Sequence, residues 1–545
     1  MTRVSSRAVG VLPLVITVGL AVRLWGINFG LPHVLARPDE LLILSAVIKM
    51  HDGQPNPGFF DYPGLYMYLV AGLYAVYYGW GRIVGGPVDP AAFVKNFYDH
   101  WEPYFLIPRV AGAVLGAATI GLVYGIGRTV LSRNAALLAS LFMSLAFLHV
   151  RDSHFATTDV PMTFFVMAAM LATVYVQKGR SRRDAWLAGA LAGCAASTKY
   201  NAVFIVLPMA LVELFHAWDQ RRDWRAVLRE THILRMAVAA IVVFGLTNPY
   251  LFLDFSRAMN DLRALQASAA GGMTPPEMLG RGWTYHLPHS LRYGMGIPLL
   301  AAGLGGMVLM ALRAPRQAAI LGVFPVVYYV VVGAGHNVFV RYMIPVVPFL
   351  CLFAGHAVGE AAAYLARVRW TSKEPLLAGA LGIAVIAPSA MRVARFDYLL
   401  AQDDNRLVAA NWVHTQVPAG SLIFMSGNLY GRLQLERGPT RKYRYLDYDY
   451  RADTFTLDRR PTTERPDWVV VQQSGIPYSH IAPRVVDLLA QEYQLVHRLT
   501  AADLTEPNFY DIQDGFYAPF GSFKGVRRFG PNFSIYRRRP GQAPK

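Results

Sequence analysis

Hydrophobic residues in this chain come in long unbroken runs separated by short polar stretches, and the pattern changes character near residue 397. Before that point eleven runs, at 9–27, 104–127, 134–150, 160–176, 185–198, 202–216, 233–253, 295–312, 318–333, 342–359 and 376–391, approach or reach the ~20 apolar residues a helix needs to cross a bilayer. They predict about eleven transmembrane helices. A further run, 65–83, follows Pro57 and Pro63 and carries Tyr66, Tyr68, Tyr74, Tyr77 and Tyr78, the composition of a helix lying in the membrane interface. Beyond 397 the runs are short: β-type segments at 421–426, 468–472, 493–498 and 533–536, with helical spacing at 405–415 and 483–491. These predict a small α/β domain.

Composition agrees with that division. Of all residues 54% are hydrophobic and 16% charged, whereas an ordinary soluble protein carries roughly 25% charged residues. A soluble enzyme of this size is not expected. From Asp397 onward the chain holds 19 of the 52 basic and 16 of the 35 acidic residues, so most of the net +17 belongs to the apolar part. Basic residues between spans set topology, and nucleic acid is not an expected partner. The two cysteines, Cys194 and Cys351, both sit in apolar runs, so no disulfide framework can be read.

Short cytoplasmic loops collect lysine and arginine. The clusters are Arg128/Arg133, Lys178/Arg180/Arg182/Arg183, Arg221/Arg222/Arg225/Arg229, Arg313/Arg316 and Arg367/Arg369/Lys373. If 65–83 lies in the interface, all of them share the side of Arg3 and Arg7; if it crosses, all move outside. The first reading puts the amino terminus in the cytoplasm. Two long outer loops follow, 28–103 with its juxtamembrane helices and 254–293 with the Gly/Pro-rich stretch 269–277. The expected organisation is a transmembrane domain, 1–396, and an extracytoplasmic domain, 397–545, in a bacterial or archaeal plasma membrane.

This topology gathers ionisable residues at the outer face: Arg37-Pro38-Asp39-Glu40, Arg151-Asp152-Ser153-His154 with Asp159, Lys199, and the stretch from His336 to Arg341. Charges at a bilayer boundary are costly unless they meet water or one another, so their convergence suggests a site. Each has a plainer explanation. Asp39 and Asp159 are ordinary as solvated loop charges, and Asp159 also as a helix cap ahead of Pro161. Lys199 and Arg341 are ordinary as interfacial anchors. Lys199, however, joins runs of only 14 and 15 residues, which suggests a recessed turn and a lysine wanting an anion. His149, His154 and Asp159 leave a divalent ion open, although their spacing matches no strong metal signature. The tail contains no nucleophile elbow, phosphate loop or zinc spacing.

Four segments carry a resemblance to a known family: Arg37-Pro38-Asp39-Glu40, the stretch from His154 through Thr158-Asp159-Val160-Pro161 to Phe165, Thr198-Lys199-Tyr200, and Arg341-Tyr342-Met343-Ile344-Pro345. In order and topology they resemble the polytopic C-type glycosyltransferases, in particular the dolichyl-phosphate-mannose protein mannosyltransferases and the bacterial lipid A aminoarabinose transferases. The resemblance implies an inverting transfer of a sugar from a polyprenyl-phosphate donor to a protein, lipid or glycan acceptor outside the cytoplasm. It makes Asp39 the general base, as the acidic position of the first-loop motif, with Glu40 to assist.

The chemistry of such a donor fits the remaining residues. A sugar on a lipid phosphate leaves as a phosphate anion at the membrane surface, which calls for fixed cations and a proton acceptor there. Lys199 and Arg341 are the expected phosphate pair, Asp159 the residue that orients hydroxyls, and Arg23, His154 and His336 accessory candidates. No cofactor is certain. Two other classes compete, a transporter or flippase of a lipid-linked or small polar substrate and a catalytically dead scaffold. No repeated half is visible, and the acidic residues sit at loop ends on one side, which favours surface chemistry over alternating access.

Overall fold

The computed structural model describes residues 10–51, 53–85, 89–220, 231–271, 279–368, 373–436 and 441–540. Arg3, Arg7, Arg221, Arg222, Arg225, Arg229, Arg369 and most of 269–277 lie outside these. The chain divides into two compact units: residues 1–27, 43–86 and 106–395, and residues 28–42, 87–105 and 396–545.

The first unit is helical. By length and apolarity six helical stretches among the described residues suit a membrane crossing: Glu102–Val130, Asp159–Gly179, Tyr200–Asp219, Pro315–Gly333, Val340–Val368 and Glu374–Gln416, the last made of the helices Glu374–Leu400 and Asn405–Gln416, of which the second belongs to the other unit. A seventh is counted if Gly282–Met295 and Ile297–Arg313, bent by 114°, form one span. Val11–Leu24 and Ile233–Thr247 are apolar but shorter. The helical membrane fold expected from the runs is present, with at least six helices long and apolar enough to cross among the described residues, while the count of eleven stays an expectation. Some runs are interrupted. The run 134–150 is broken into Arg133–Ser144 and Phe147–Asp152, and 233–253 divides at Asn248, ahead of Pro249, where proline disfavours a helical residue before it. The run 65–83 forms one helix, Leu65–Ile83, that buries Tyr66, Met67, Val70 and Tyr74 and exposes Val76, Trp80 and Ile83.

Close helix packing here depends on small residues. Arg182–Thr198 packs on both Asp159–Gly179 and Ile233–Thr247. A Cβ at Gly189 would collide with the Met236 carbonyl, and one at Gly193 would come within 2.6 Å of the Ala240 carbonyl. Without a hydrophobic drive between helices in lipid, such approach supplies van der Waals contact. One buried carboxylate joins three elements: Glu213 accepts from both Arg180 guanidinium nitrogens at 2.5 and 3.0 Å, from Thr231 Oγ1 at 2.8 Å and from the His232 backbone N–H at 2.9 Å. Burial of Glu213 is tolerable because Arg180 compensates its charge and the neutral donors satisfy its remaining lone pairs.

The second unit is built on a seven-stranded mixed sheet in the order β4-β3-β2-β1-β5-β7-β6, with β1 at Leu422–Met425, β2 at Arg444–Asp449, β3 at Thr454–Leu457, β4 at Arg460–Pro461, β5 at Trp468–Gln473, β6 at Tyr493–Leu499 and β7 at Asn532–Arg538. β1 runs parallel to β2 and β5. Its two faces are covered separately. Ile423, Trp468 and Val470 pack with Ala409, Ala410 and Val413 of helix Asn405–Gln416, while Leu422, Phe424, Val469 and Val471 pack with Val485, Leu488 and Leu489 of helix Pro483–Glu492. The period of two in strands buried on both faces explains the continuous apolar reading of β1 and β5. The sheet-bearing carboxyl-terminal region expected from the sequence is therefore present. Residues 28–42 are stitched to it: Phe29 stands edge-on to Phe516 and Phe529 at 5.7 and 5.8 Å, and the His33 imidazole meets the Arg432 carbonyl at 2.9 Å.

Candidate functional site

In the first unit, three residues from distant elements meet. Asp159 is the first residue of helix Asp159–Gly179, Lys199 follows the end of Arg182–Thr198 in extended conformation, and Arg341 lies in the 3-10 turn Val340–Val346. Lys199 Nζ donates to Asp159 Oδ1 at 2.6 Å, and Arg341 Nε stands 3.7 Å from Oδ2. All three are buried, with exposures of 1% for Asp159, 7% for Lys199 and 3% for Arg341. Aromatic rings line the cations: Lys199 Nζ lies 4.8 Å from the Tyr342 ring and 5.8 Å from that of Tyr62, and Arg341 Cζ is 4.1 Å from the Phe339 ring. Two cations from different elements flank one carboxylate in a buried setting. Paired cations of this kind are the groups that bind oxyanions.

The capping explanation for Asp159 is not realised. Thr158 is the N-cap residue and makes no side-chain cap bond, while Asp159 uses its carboxylate on Lys199 and Arg341. The recess expected at Lys199 is present as burial, although the flanking helical stretches, Arg182–Thr198 and Tyr200–Asp219, are longer than the apolar runs suggested.

The accessory candidates are engaged elsewhere. Arg23 donates to the carbonyls of Gly19 at 2.6 Å and Ser144 at 3.0 Å, to His149 Nδ1 at 3.1 Å and to Ser153 Oγ at 3.2 Å. That bonding ties the first helix to the break near Ser144. The ring nitrogens of His154 face the carbonyls of Trp25 at 3.1 Å and Val150 at 3.0 Å. His336 Nδ1 meets the Ala270 carbonyl at 3.0 Å. Among the described residues no group of three or more His, Cys, Asp or Glu side chains is arranged to hold a metal ion, so the set His149, His154 and Asp159 is not assembled as one.

Asp39 and Glu40 belong to the second unit. They occupy the first turn of helix Pro38–Met50, where negative charge suits the helix dipole. Glu40 is fully buried, whereas Asp39 is half-buried. Arg37 pairs with Asp514 at 2.5 Å, both buried, with its guanidinium carbon 5.3 Å from the Phe516 ring. Burial and then the charge of Asp39 raise the Tyr430 phenol above its ordinary range, which brings Asp39 and Tyr430 into one electrostatic neighbourhood. Neither Tyr430 nor Asp514 was marked by the sequence, since no motif surrounds them.

Comparison with known proteins agrees with this architecture. Residues 91–256, which include Asp159 and Lys199, match the family of dolichyl-phosphate-mannose-protein mannosyltransferases. The structure is similar to that of ArnT from Cupriavidus metallidurans bound to undecaprenyl phosphate, with 14% identity, a TM-score of 0.54 and all of both chains covered. It is also similar to the oligosaccharyltransferase AglB from Archaeoglobus fulgidus in complex with an inhibitory peptide and a dolichol-phosphate, with 12% identity and a TM-score of 0.51 over 80% of this chain and 64% of that one. A 105-residue stretch is 34% identical to an uncharacterized protein of Aquifex aeolicus (strain VF5), covering 19% of this chain and 21% of that relative. The resemblance read from the sequence is borne out to this extent: residues 91–256 match the mannosyltransferase family, and the fold is similar to that of ArnT and AglB.

Proposed function

We propose that this protein is a membrane glycosyltransferase that moves a sugar from a polyprenyl-phosphate donor to an acceptor on the extracytoplasmic side, with inversion at the anomeric carbon. The buried trio of Lys199, Asp159 and Arg341 carries this reading. Two buried cations held side by side by one carboxylate suit a phosphate that must be held in the ground state and stabilised as it leaves. The lipid phosphates bound by ArnT and AglB support a donor of that class.

In this account Lys199 and Arg341 hold the donor phosphate, and Asp159 keeps both cations aligned and orients hydroxyls. The acceptor oxygen or nitrogen attacks the anomeric carbon from the side opposite the phosphate. The bond from that carbon to the phosphate oxygen breaks with its electron pair, and the lipid phosphate departs. The acceptor's proton passes to the Asp39 carboxylate, the more accessible of the first-loop pair; Glu40, fully buried, supports it. The exposed apolar face of Leu65–Ile83 supports a juxtamembrane place for that helix, and with it an outer location for the first loop and the carboxyl-terminal domain.

The test is to incubate purified protein with a panel of polyprenyl-phosphate sugars and candidate acceptors, and to follow loss of the lipid-linked sugar. The anomeric configuration of the product is read by NMR. Consumption with inversion is expected; retention of configuration would remove the single-displacement mechanism.

A further inference from the structure

Asp159 has a neutral neighbour whose hydrogen-bonding capacity is unspent. Tyr328 lies on helix Pro315–Gly333, which packs against both the turn that follows Lys199, Tyr200–Ile205, and the turn that carries Arg341, Val340–Val346. Its side chain has no exposure to solvent. The ring stands edge-on to Phe204 at 6.5 Å and tilts against Phe324 at 5.5 Å, so it is held on two sides. Asp159 and Tyr342 act on its phenol electrostatically, and the Tyr342 ring in turn faces Lys199 Nζ at 4.8 Å. Asn201 is also near, yet the Tyr328 hydroxyl makes no hydrogen bond among the described residues.

A buried hydroxyl without a partner is costly, and each one calls for an explanation. The matching deficit is on Asp159. Its Oδ1 accepts from Lys199 at 2.6 Å, whereas Oδ2 accepts no hydrogen bond among the described residues and has Arg341 Nε at 3.7 Å. A donor phosphate held by Lys199 and Arg341 would draw both cations toward itself and set further negative charge beside the carboxylate. Both effects raise the cost of keeping a buried anion, unless another donor compensates it. A phenol supplies that donor without adding charge.

We infer that Tyr328 is a positioning residue: its hydroxyl donates to Asp159 once Lys199 and Arg341 hold the donor phosphate, and so keeps the carboxylate in place between them. The bond belongs to the donor-bound state. The inference rests on the phosphate role proposed for Lys199 and Arg341 and goes beyond it by naming the group that stabilises Asp159 when that role is exercised.

The test uses the full-length protein in nanodiscs with undecaprenyl phosphate as the probe. Affinity and melting temperature are measured for Tyr328→Phe in the wild-type and Asp159→Ala backgrounds. Without the probe, Tyr328→Phe should melt no lower than wild type, because no hydrogen bond is lost. Its affinity for the probe should fall about tenfold, the scale of one charge-assisted hydrogen bond, and this loss should vanish in the Asp159→Ala background. Unchanged affinity would overturn the inference, and a lower melting temperature alongside it would assign the hydroxyl to a structural bond such as one to Asn201. An equal loss of affinity in both backgrounds would also overturn it, since Tyr328 would then act on the phosphate without Asp159. A fluorotyrosine in place of Tyr328 gives a reading that keeps the hydroxyl: its fluorine resonance should shift as the probe saturates the protein, and a resonance that stays in place would contradict the inference. No binding of the probe by wild type would reject the phosphate reading itself, and the inference with it.

Discussion

Lys199 donates to one carboxylate oxygen of Asp159 at 2.6 Å while Arg341 stands 3.7 Å from the other, so a single buried acid aligns two cations supplied by different elements. A donor phosphate would meet both cations already oriented. Lys199→Ala should weaken donor binding by about 1.5–3 kcal/mol, the scale of a lost charge-assisted hydrogen bond. Because Lys199 and Asp159 act through one contact, Lys199→Ala and Asp159→Asn should be non-additive by roughly 0.5–3 kcal/mol in a double-mutant cycle on donor affinity. Strict additivity would show that the pair does not serve the donor.

The first-loop carboxylates differ in access, and their variants should differ accordingly. Asp39→Asn keeps the shape and removes the basicity, so turnover at saturating donor should fall by ~10²–10⁴-fold, the usual contribution of a general base. Glu40→Gln should cost less turnover, with Asp159→Asn between the two. A bound-donor assay shows whether the site is intact. Near wild-type turnover in Asp39→Asn would take it out of that role.

The His33 ring links folding to pH. Burial first, and then the charge of Arg406, pull it from its ordinary 6.5 down to about 4, with the Arg432 carbonyl and Asp404 opposing. Between those values the unfolded chain binds a proton that the folded chain refuses. Stability is therefore full above the ordinary value, falls as pH drops through the window and levels off below the folded value, a loss on the order of 3 kcal/mol. The difference in unfolding midpoint between wild type and His33→Gln should shrink from neutral pH to about pH 4.5, within this window; a constant difference would contradict the assignment.

Sidedness is open to direct labelling. With Cys194 and Cys351 replaced by alanine, single cysteines at Leu42 and Leu504, both exposed, should react with an impermeant maleimide from outside intact cells. A cysteine at Arg183 should react only after permeabilisation. The reverse pattern would invert the topology.

Some of this was legible in the sequence because it depends on charges in apolar surroundings. Asp159, Lys199 and Arg341 each stood where a bilayer boundary makes a charge expensive, and the structure brings them together. The break near Ser144 was not legible, since the run 134–150 contains neither glycine nor proline to mark it. Arg23 looked like a site residue because its main partners are backbone carbonyls, which no side-chain pattern records. Strand β2, Arg444–Asp449, escaped notice because it is strongly polar, and Asp514 because its partner Arg37 lies far away in sequence.

The most direct test of the account is the release of polyprenyl phosphate from a panel of polyprenyl-phosphate sugars, compared between wild type, Lys199→Ala and the double variant Lys199→Ala/Arg341→Ala. Wild type should release one lipid phosphate for each sugar transferred from at least one donor, Lys199→Ala should require much more donor, and the double variant should release almost none while remaining folded. Equal release by all three proteins would contradict the claim that this pair holds the phosphate, and no release from any donor would contradict the proposed reaction itself.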